Sequence, residues 1–165
     1  MKIMQKGQSM VEFAVIFPIF LFLIFFVTYF SMAFADYLEL SNMARSSARE
    51  AALVYVDSYD SVAKRERTEK EKDVLRQSKY NDIRNKYDKK KLISDVHQIK
   101  KYNIKYDNKN ENVIVDISAP LNKASTVGKT MNSLLNVFAK NKNDEQGAFD
   151  INIKYTMYSE NTSKK

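Results

Sequence analysis

Hydrophobic positions are crowded into one end of this chain. Residues 13–35 carry no charge and are dominated by Phe, Leu, Ile and Val. As a helix rising 1.5 Å per residue, a run of about 23 residues spans a ~30 Å hydrocarbon layer. Pro18 removes one backbone donor inside the run and predicts a bend near the carbonyl of Ala14. Tyr29 and Tyr37 stand towards the far end, where aromatic rings favour the interface. Helical spacing continues past the apolar run. Leu40, Ala44, Ala48, Ala51 and Tyr55 recur at steps of three and four, and no glycine or proline interrupts residues 42–56. This predicts one long helix from about Ser9 into the mid-fifties, half in the membrane and half outside. Its stripe of small residues reads as a packing seam for the chain's own strands, with Arg45 and Arg49 on a neighbouring face.

The period then changes twice. Between residues 64 and 91 acids and bases alternate densely, and Tyr80, Ile83 and Tyr87 supply a thin apolar stripe continued loosely by Leu92, Val96 and Ile99. That pattern suits a solvated, ion-paired helix or a partly disordered segment, and also a basic surface for lipid headgroups or an envelope polymer. Further on, Tyr102, Ile104 and Tyr106 alternate with polar residues, a turn cluster covers residues 107–110, and Val113, Val115 and Ile117 share one face. This is a hairpin, ended by Pro120. Met131, Leu134, Leu135 and Phe138 offer a short helix or ordered loop, and residues 141–147 are polar loop. A last strand follows over residues 149–158, with Phe149, Ile151, Ile153, Tyr155 and Met157 on one face. The predicted fold class is α+β: a long N-terminal helix packed against a small antiparallel sheet of about three strands. The chain divides into a leader (1–7), a transmembrane helix (8–35), its exposed continuation (36–60), the charged segment (61–100) and the sheet region (101–165).

Composition removes several classes of chemistry. The chain has 165 residues, a net charge of +7 and 44% hydrophobic residues, yet its mean hydropathy is −0.46 because the apolar residues are segregated. It has no cysteine, which excludes a disulfide framework and a thiolate metal site. With the single histidine, His97, zinc chemistry or a Cys–His pair has almost no material. His97, beside polar Gln98, reads as a surface residue and not a base. There is no Gly-rich phosphate loop, no G-x-S-x-G and no H-E-x-x-H, so no enzyme, cofactor or metal is expected. Acids are interspersed with the bases and no base-stacking motif accompanies them, so nucleic acid is not an expected partner.

The junction ahead of the apolar run is the most specific feature. It reads Lys6-Gly7-Gln8-Ser9-Met10-Val11-Glu12. Lys2 and Lys6 precede the span and Asp36 and Glu39 follow it, favouring a cytoplasmic N-terminus and an extracytoplasmic domain, a bias reduced by Arg45 and Arg49. An acidic residue in a span costs about 2.5–3.5 kcal/mol at mid-bilayer and less near the interface, so Glu12 calls for a partner. Cleavage after Gly7 would leave the Gln8 amine one helical turn from Glu12. A cleaved secretory signal is a competing reading, with Ala33-Phe34-Ala35 as its site. Its apolar core would be about 7–15 residues, shorter than this one, and Glu12 is wrong inside it. A plain signal-anchor leaves Gly7 and Glu12 needing separate explanations.

These residues resemble the processing site of the type IV pilin superfamily. The run Gln8-Ser9-Met10-Val11-Glu12-Phe13-Ala14, then Pro18, resembles TadE-type pseudopilins of the tight-adherence (Flp) pilus systems. The Ala/Arg-rich segment at residues 42–52 and the ending with Met157 and Glu160 look similar too. The resemblance implies cleavage between Gly7 and Gln8 by a prepilin peptidase, and Glu12 as the carboxylate of subunit assembly. It further implies other pilins or pseudopilins, a membrane assembly platform and the lipid bilayer as partners. The chain departs from main-branch pilins in beginning its mature form with Gln8 instead of Phe, and it is much longer than the short major pilin. Both points favour a minor pilin or pseudopilin over the bulk subunit. The alternative is a membrane-tethered extracytoplasmic binding module with a basic surface.

Overall fold

The computed structural model of the chain describes residues 2–90, 92–138 and 150–159, with helix side chains from Ser9 in the first helix and to Ser133 in the last. The first element, α1, is a 51-residue helix, Lys2–Ala52. A small hairpin follows, β1 (Tyr59–Asp60) with β2 (Arg65–Glu66), then α2 (Glu69–Asp88). Next come β3 (Lys101–Asp107), β4 (Asn112–Ala119), α3 (Thr126–Phe138) and β5 (Ile151–Tyr158). The architecture is α+β, with a long helix and two small antiparallel sheets, one of two strands and one of three.

The three-stranded sheet runs in the order β3-β4-β5, and its register aligns the apolar positions row by row. Tyr102 faces Ile117, which faces Ile153; Ile104, Val115 and Tyr155 form the next row; Tyr106, Val113 and Met157 the third. Side chains alternate faces along a strand, so this register puts all three rows on one side. That side meets the stripe Leu40, Ala44, Ala48 and Ala51 of α1, and these residues with Ile104, Val113, Val115 and Ile117 are fully or almost fully buried. Small side chains on the helix let the sheet approach closely, and each fully buried Leu, Ile or Val contributes about 1.5–3 kcal/mol. The seam is therefore internal, as its spacing predicts, except at Tyr55, which lies beyond the end of α1 and is exposed.

The charged stretch forms α2, and its thin stripe of Tyr80, Ile83 and Tyr87 is the part that reaches the core. Its start is fixed by Glu71, whose carboxylate accepts from the Thr68 amide (2.8 Å), the Thr68 hydroxyl (3.0 Å) and the Arg65 guanidinium. These contacts hold the Glu71 carboxyl down at about 2. Across the helix pair, Lys86 Nζ lies 2.9 Å from Glu50 of α1. Leu92 and Ile99 pack on the core from the loop after α2, not from the helix itself.

A second, smaller cluster sits lower on α1. Tyr29, Val96 and Leu121 are buried together, with Ala33 and Met131 packed against them. Tyr29 is only 5% exposed, so it does not sit as a free interfacial ring; the domain covers it. Tyr37 is half-exposed. The backbone of Gly7 and Gln8 lies within α1, while the side chains of Gln8, Leu134, Leu135 and Phe138 and the expectations for Phe149, residues 141–147 and Glu160 fall outside the described residues.

Candidate functional site

The lower part of α1 is a bare apolar shaft. From Ser9 to Thr28 every residue is exposed in the single chain, and the helix is long and apolar enough to cross a membrane. Phe13 and Phe17 stack at a centroid distance of 5.2 Å, one turn apart. Pro18 lies inside the helix, and Thr28 and Ser31 return their hydroxyls to the carbonyls of Ile24 and Val27, each at 2.9 Å. Such back-bonding lets a polar side chain satisfy itself within an apolar span. Glu12 stands at the start of this shaft, exposed like its neighbours. Among the described residues, no strand or loop of the sheet domain buries it.

At the opposite end of the shaft the chain builds a buried polar clasp. Asp36 is fully buried and His97, expected at the surface, is only 3% exposed. Asp36 accepts from the Ser94 amide (3.0 Å) and hydroxyl (2.7 Å) and from the His97 amide (3.3 Å). The His97 ring Nδ1 lies 3.0 Å from the same carboxylate. Burial pushes the Asp36 carboxyl up, but the His97 ring and the Ser94 donors outweigh it and hold it below the usual carboxylate value. His97 is drawn inward because its segment pairs with Leu121 as an isolated bridge. The bonds Gln98 N to Pro120 O (3.0 Å) and Asn122 N to Val96 O (2.8 Å) flank that bridge. Asp, His and Ser here do not form a nucleophilic triad, because the Ser94 hydroxyl donates to Asp36 itself. The arrangement pins the loop after α2 onto α1 at the first residue beyond the span.

Sequence reasoning missed this clasp for a clear reason. Asp36 and His97 are 61 residues apart, and no local spacing links them. The one available signal was Asp36 itself, a carboxylate placed directly after an uncharged run.

Two further concave surfaces among the described residues carry no comparable chemistry. One shallow depression between the small hairpin and α2 is lined by Asp60, Arg67, Lys70, Glu71, Val74 and Leu75. A groove between α1 and the end of α2 is lined by Leu38, Asn42, Tyr87, Lys90 and Ile93 among others. Among the described residues no three His, Asp or Glu side chains come together as metal ligands. Of the residues expected to carry function, the structure places Glu12 on the shaft and does not bring it near the clasp, which lies 24 positions further along α1, about 36 Å away at helical rise.

No curated protein and no solved structure matches the chain. Residues 7–49 match the model of a family described as TadE-like protein. The matched stretch runs from Gly7 through Glu12, the shaft and Asp36 to Arg49, beside the packing seam, and over that stretch the chain is similar to that family.

Proposed function

We propose that the chain is a minor pilin or pseudopilin in the assembly of a tight-adherence type IV pilus, anchored by the lower half of α1. The observation that carries this reading is a coincidence of boundaries. The TadE-like match at residues 7–49 contains the whole of the uncovered apolar shaft and the acid at its mouth. A shaft left bare by its own domain is suited to lie first in lipid and then against other shafts. In this reading prepilin peptidase cuts between Gly7 and Gln8, and Glu12 pairs with a Gln8 amine of its own or a neighbouring chain. The N-terminus is cytoplasmic and the sheet domain extracytoplasmic. The binding-module alternative lacks a specific observation in its favour. Within the charged stretch Arg65 pairs with Glu71, Lys72 with Glu69 and Arg76 with Asp73, so these three cations are engaged locally and not held ready for a polymer or lipid.

The test has two readouts. Co-expressed with its prepilin peptidase, the mature chain should begin at Gln8. A start at Met1 would reduce it to a plain anchor, and a start at Asp36 would mark a signal peptide. Glu12→Ala should insert at least as well as wild type, since it removes a charge from the membrane. Co-purification of tagged with untagged pilins should nevertheless be lost, because an unpaired buried amine costs about 3–5 kcal/mol. Unchanged association would remove Glu12 from assembly.

A further inference from the structure

The position of the second cluster along α1 has a consequence for where the membrane surface lies. Counting about 20 residues of hydrocarbon from Phe13 at 1.5 Å each puts the outer edge near residue 33. Tyr29 and Ala33 therefore belong to the last turns inside that edge, yet they are the residues against which Val96, Leu121 and Met131 pack. The domain does not stand above the membrane on a stalk. Its underside reaches down to the level of the lipid interface.

Two features of that underside are exposed and apolar. Ile93 is 72% exposed. It lines a groove with Leu38, and it is held there because Ser94, the next residue, is bound to Asp36 at 3.0 Å and 2.7 Å. Above Phe30 and Phe34, the Tyr37 ring stacks on Phe34 at 6.4 Å, so the shaft's exposed surface runs on into Leu38 and Ile93. The other feature is α3. Met131 packs on the Tyr29 cluster while Val127, one turn earlier, is exposed. The start of α3 lies close against the preceding loop: a Cβ added at Gly128 would stand 2.1 Å from the Asn122 carbonyl oxygen. The Gly128 amide also donates to Ser125 Oγ at 3.0 Å. Lys89, Lys90, Lys123 and Lys129 are exposed around these two features, with Asp88 and Asp95 among them. Mixed charges of this kind suit a headgroup layer, while the contact itself is apolar.

We propose that the Ile93 loop and α3 together form a lipid-interface surface, seating the outer domain on the leaflet from which its own anchor emerges. The occupant is the phospholipid interface, because the surface is continuous with the lipid-facing shaft and fixed at its depth. This rests on α1 spanning the membrane, and the test separates the two.

The natural chain has no cysteine, so single nitroxide labels can be placed on the full chain by Ile93→Cys, Val127→Cys, Val62→Cys and Phe22→Cys. Val62 is 92% exposed in the distant small hairpin, and Phe22 lies mid-shaft. In nanodiscs of phosphatidylcholine with phosphatidylglycerol holding one chain each, accessibility to oxygen relative to a nickel chelate is read at each label. The ratio at Ile93 and Val127 should exceed that at Val62 several-fold and fall short of Phe22. Ratios equal to Val62 with Phe22 still oxygen-rich would overturn the seating while leaving the span intact. Shielding of Ile93 and Val127 from both reagents would mean that protein covers them, which also overturns it. A nickel-accessible Phe22 would sink the span and the proposal together.

Discussion

Asp36 shows what a single residue can hold in place. Its carboxylate is the meeting point of Ser94 and His97, and it sits one position beyond an uncharged run. Asp36→Ala would remove the acceptor shared by the Ser94 amide and hydroxyl and the His97 ring, at about 1–3 kcal/mol for each buried hydrogen bond left unmade. Asp36→Asn keeps the shape but not the charge and should lie between the two. The pH dependence follows from the direction of the shift. The folded carboxyl titrates below its unfolded value, so the unfolded chain binds the proton more readily. Its contribution is complete above an unfolded pKa of about 4 and is lost as pH falls through the folded value. Thermal unfolding of the detergent-solubilised chain should therefore show wild type and Asp36→Asn converging at acid pH, the gap being full near neutrality. A gap that stays constant into acid would mean the carboxylate's charge has no part in it. Glu12 stands out in the sequence because its cost is local to the run it precedes. Asp36 and His97 do not, because their energy arises from a contact between distant segments.

Among the elements, α1 carries the clearest constraint. Ala44, Ala48 and Ala51 are buried under the sheet, where any larger side chain must push β4 and β5 away. Ala48→Leu should lower stability by about 1–3 kcal/mol through overpacking. On the neighbouring exposed face, Arg45→Gln should stay within about 0.5 kcal/mol. Denaturant midpoints of the two variants check this, and equal midpoints would show that the seam is loose. The seam and the sheet faces were readable because each repeats at its own period, three-to-four on the helix and two on the strands. The β1–β2 hairpin was not, since strands of two residues each are too short to show alternation. It is set instead by Asp60, whose carboxylate accepts from the amides of Val62 and Ala63 at 3.0 Å and 3.1 Å, and by Arg67, which reaches the carbonyls of Asp57 and Tyr59.

For the whole molecule, the sheet domain and the apolar shaft are not separable at residue 36. A fragment starting at Asp36 keeps the main core but leaves Val96, Leu121 and Met131 without Tyr29 and Ala33. One starting at Thr28 keeps both clusters. In mild detergent the longer fragment should be more stable by about 2–3 kcal/mol, the worth of one large buried side chain. Its amides near Val96 and Leu121 should also exchange more slowly. Equal stability would mean that the lower cluster adds nothing to the fold.

The sequence by itself determined the elements and their inner faces: the uncharged run, the small-residue stripe that continues it, the alternating strands and the acid at the mouth of the span. Each is a short-range pattern, imposed by helix or strand geometry on neighbouring residues, so it can be read without knowing where the chain goes. Only the tertiary structure decided that His97 turns inward onto Asp36, that the domain covers Tyr29, and that α3 returns beside the apolar half of α1. Those outcomes depend on segments brought together across long separations, where a burial cost at one position is offset by a partner that no local spacing announces.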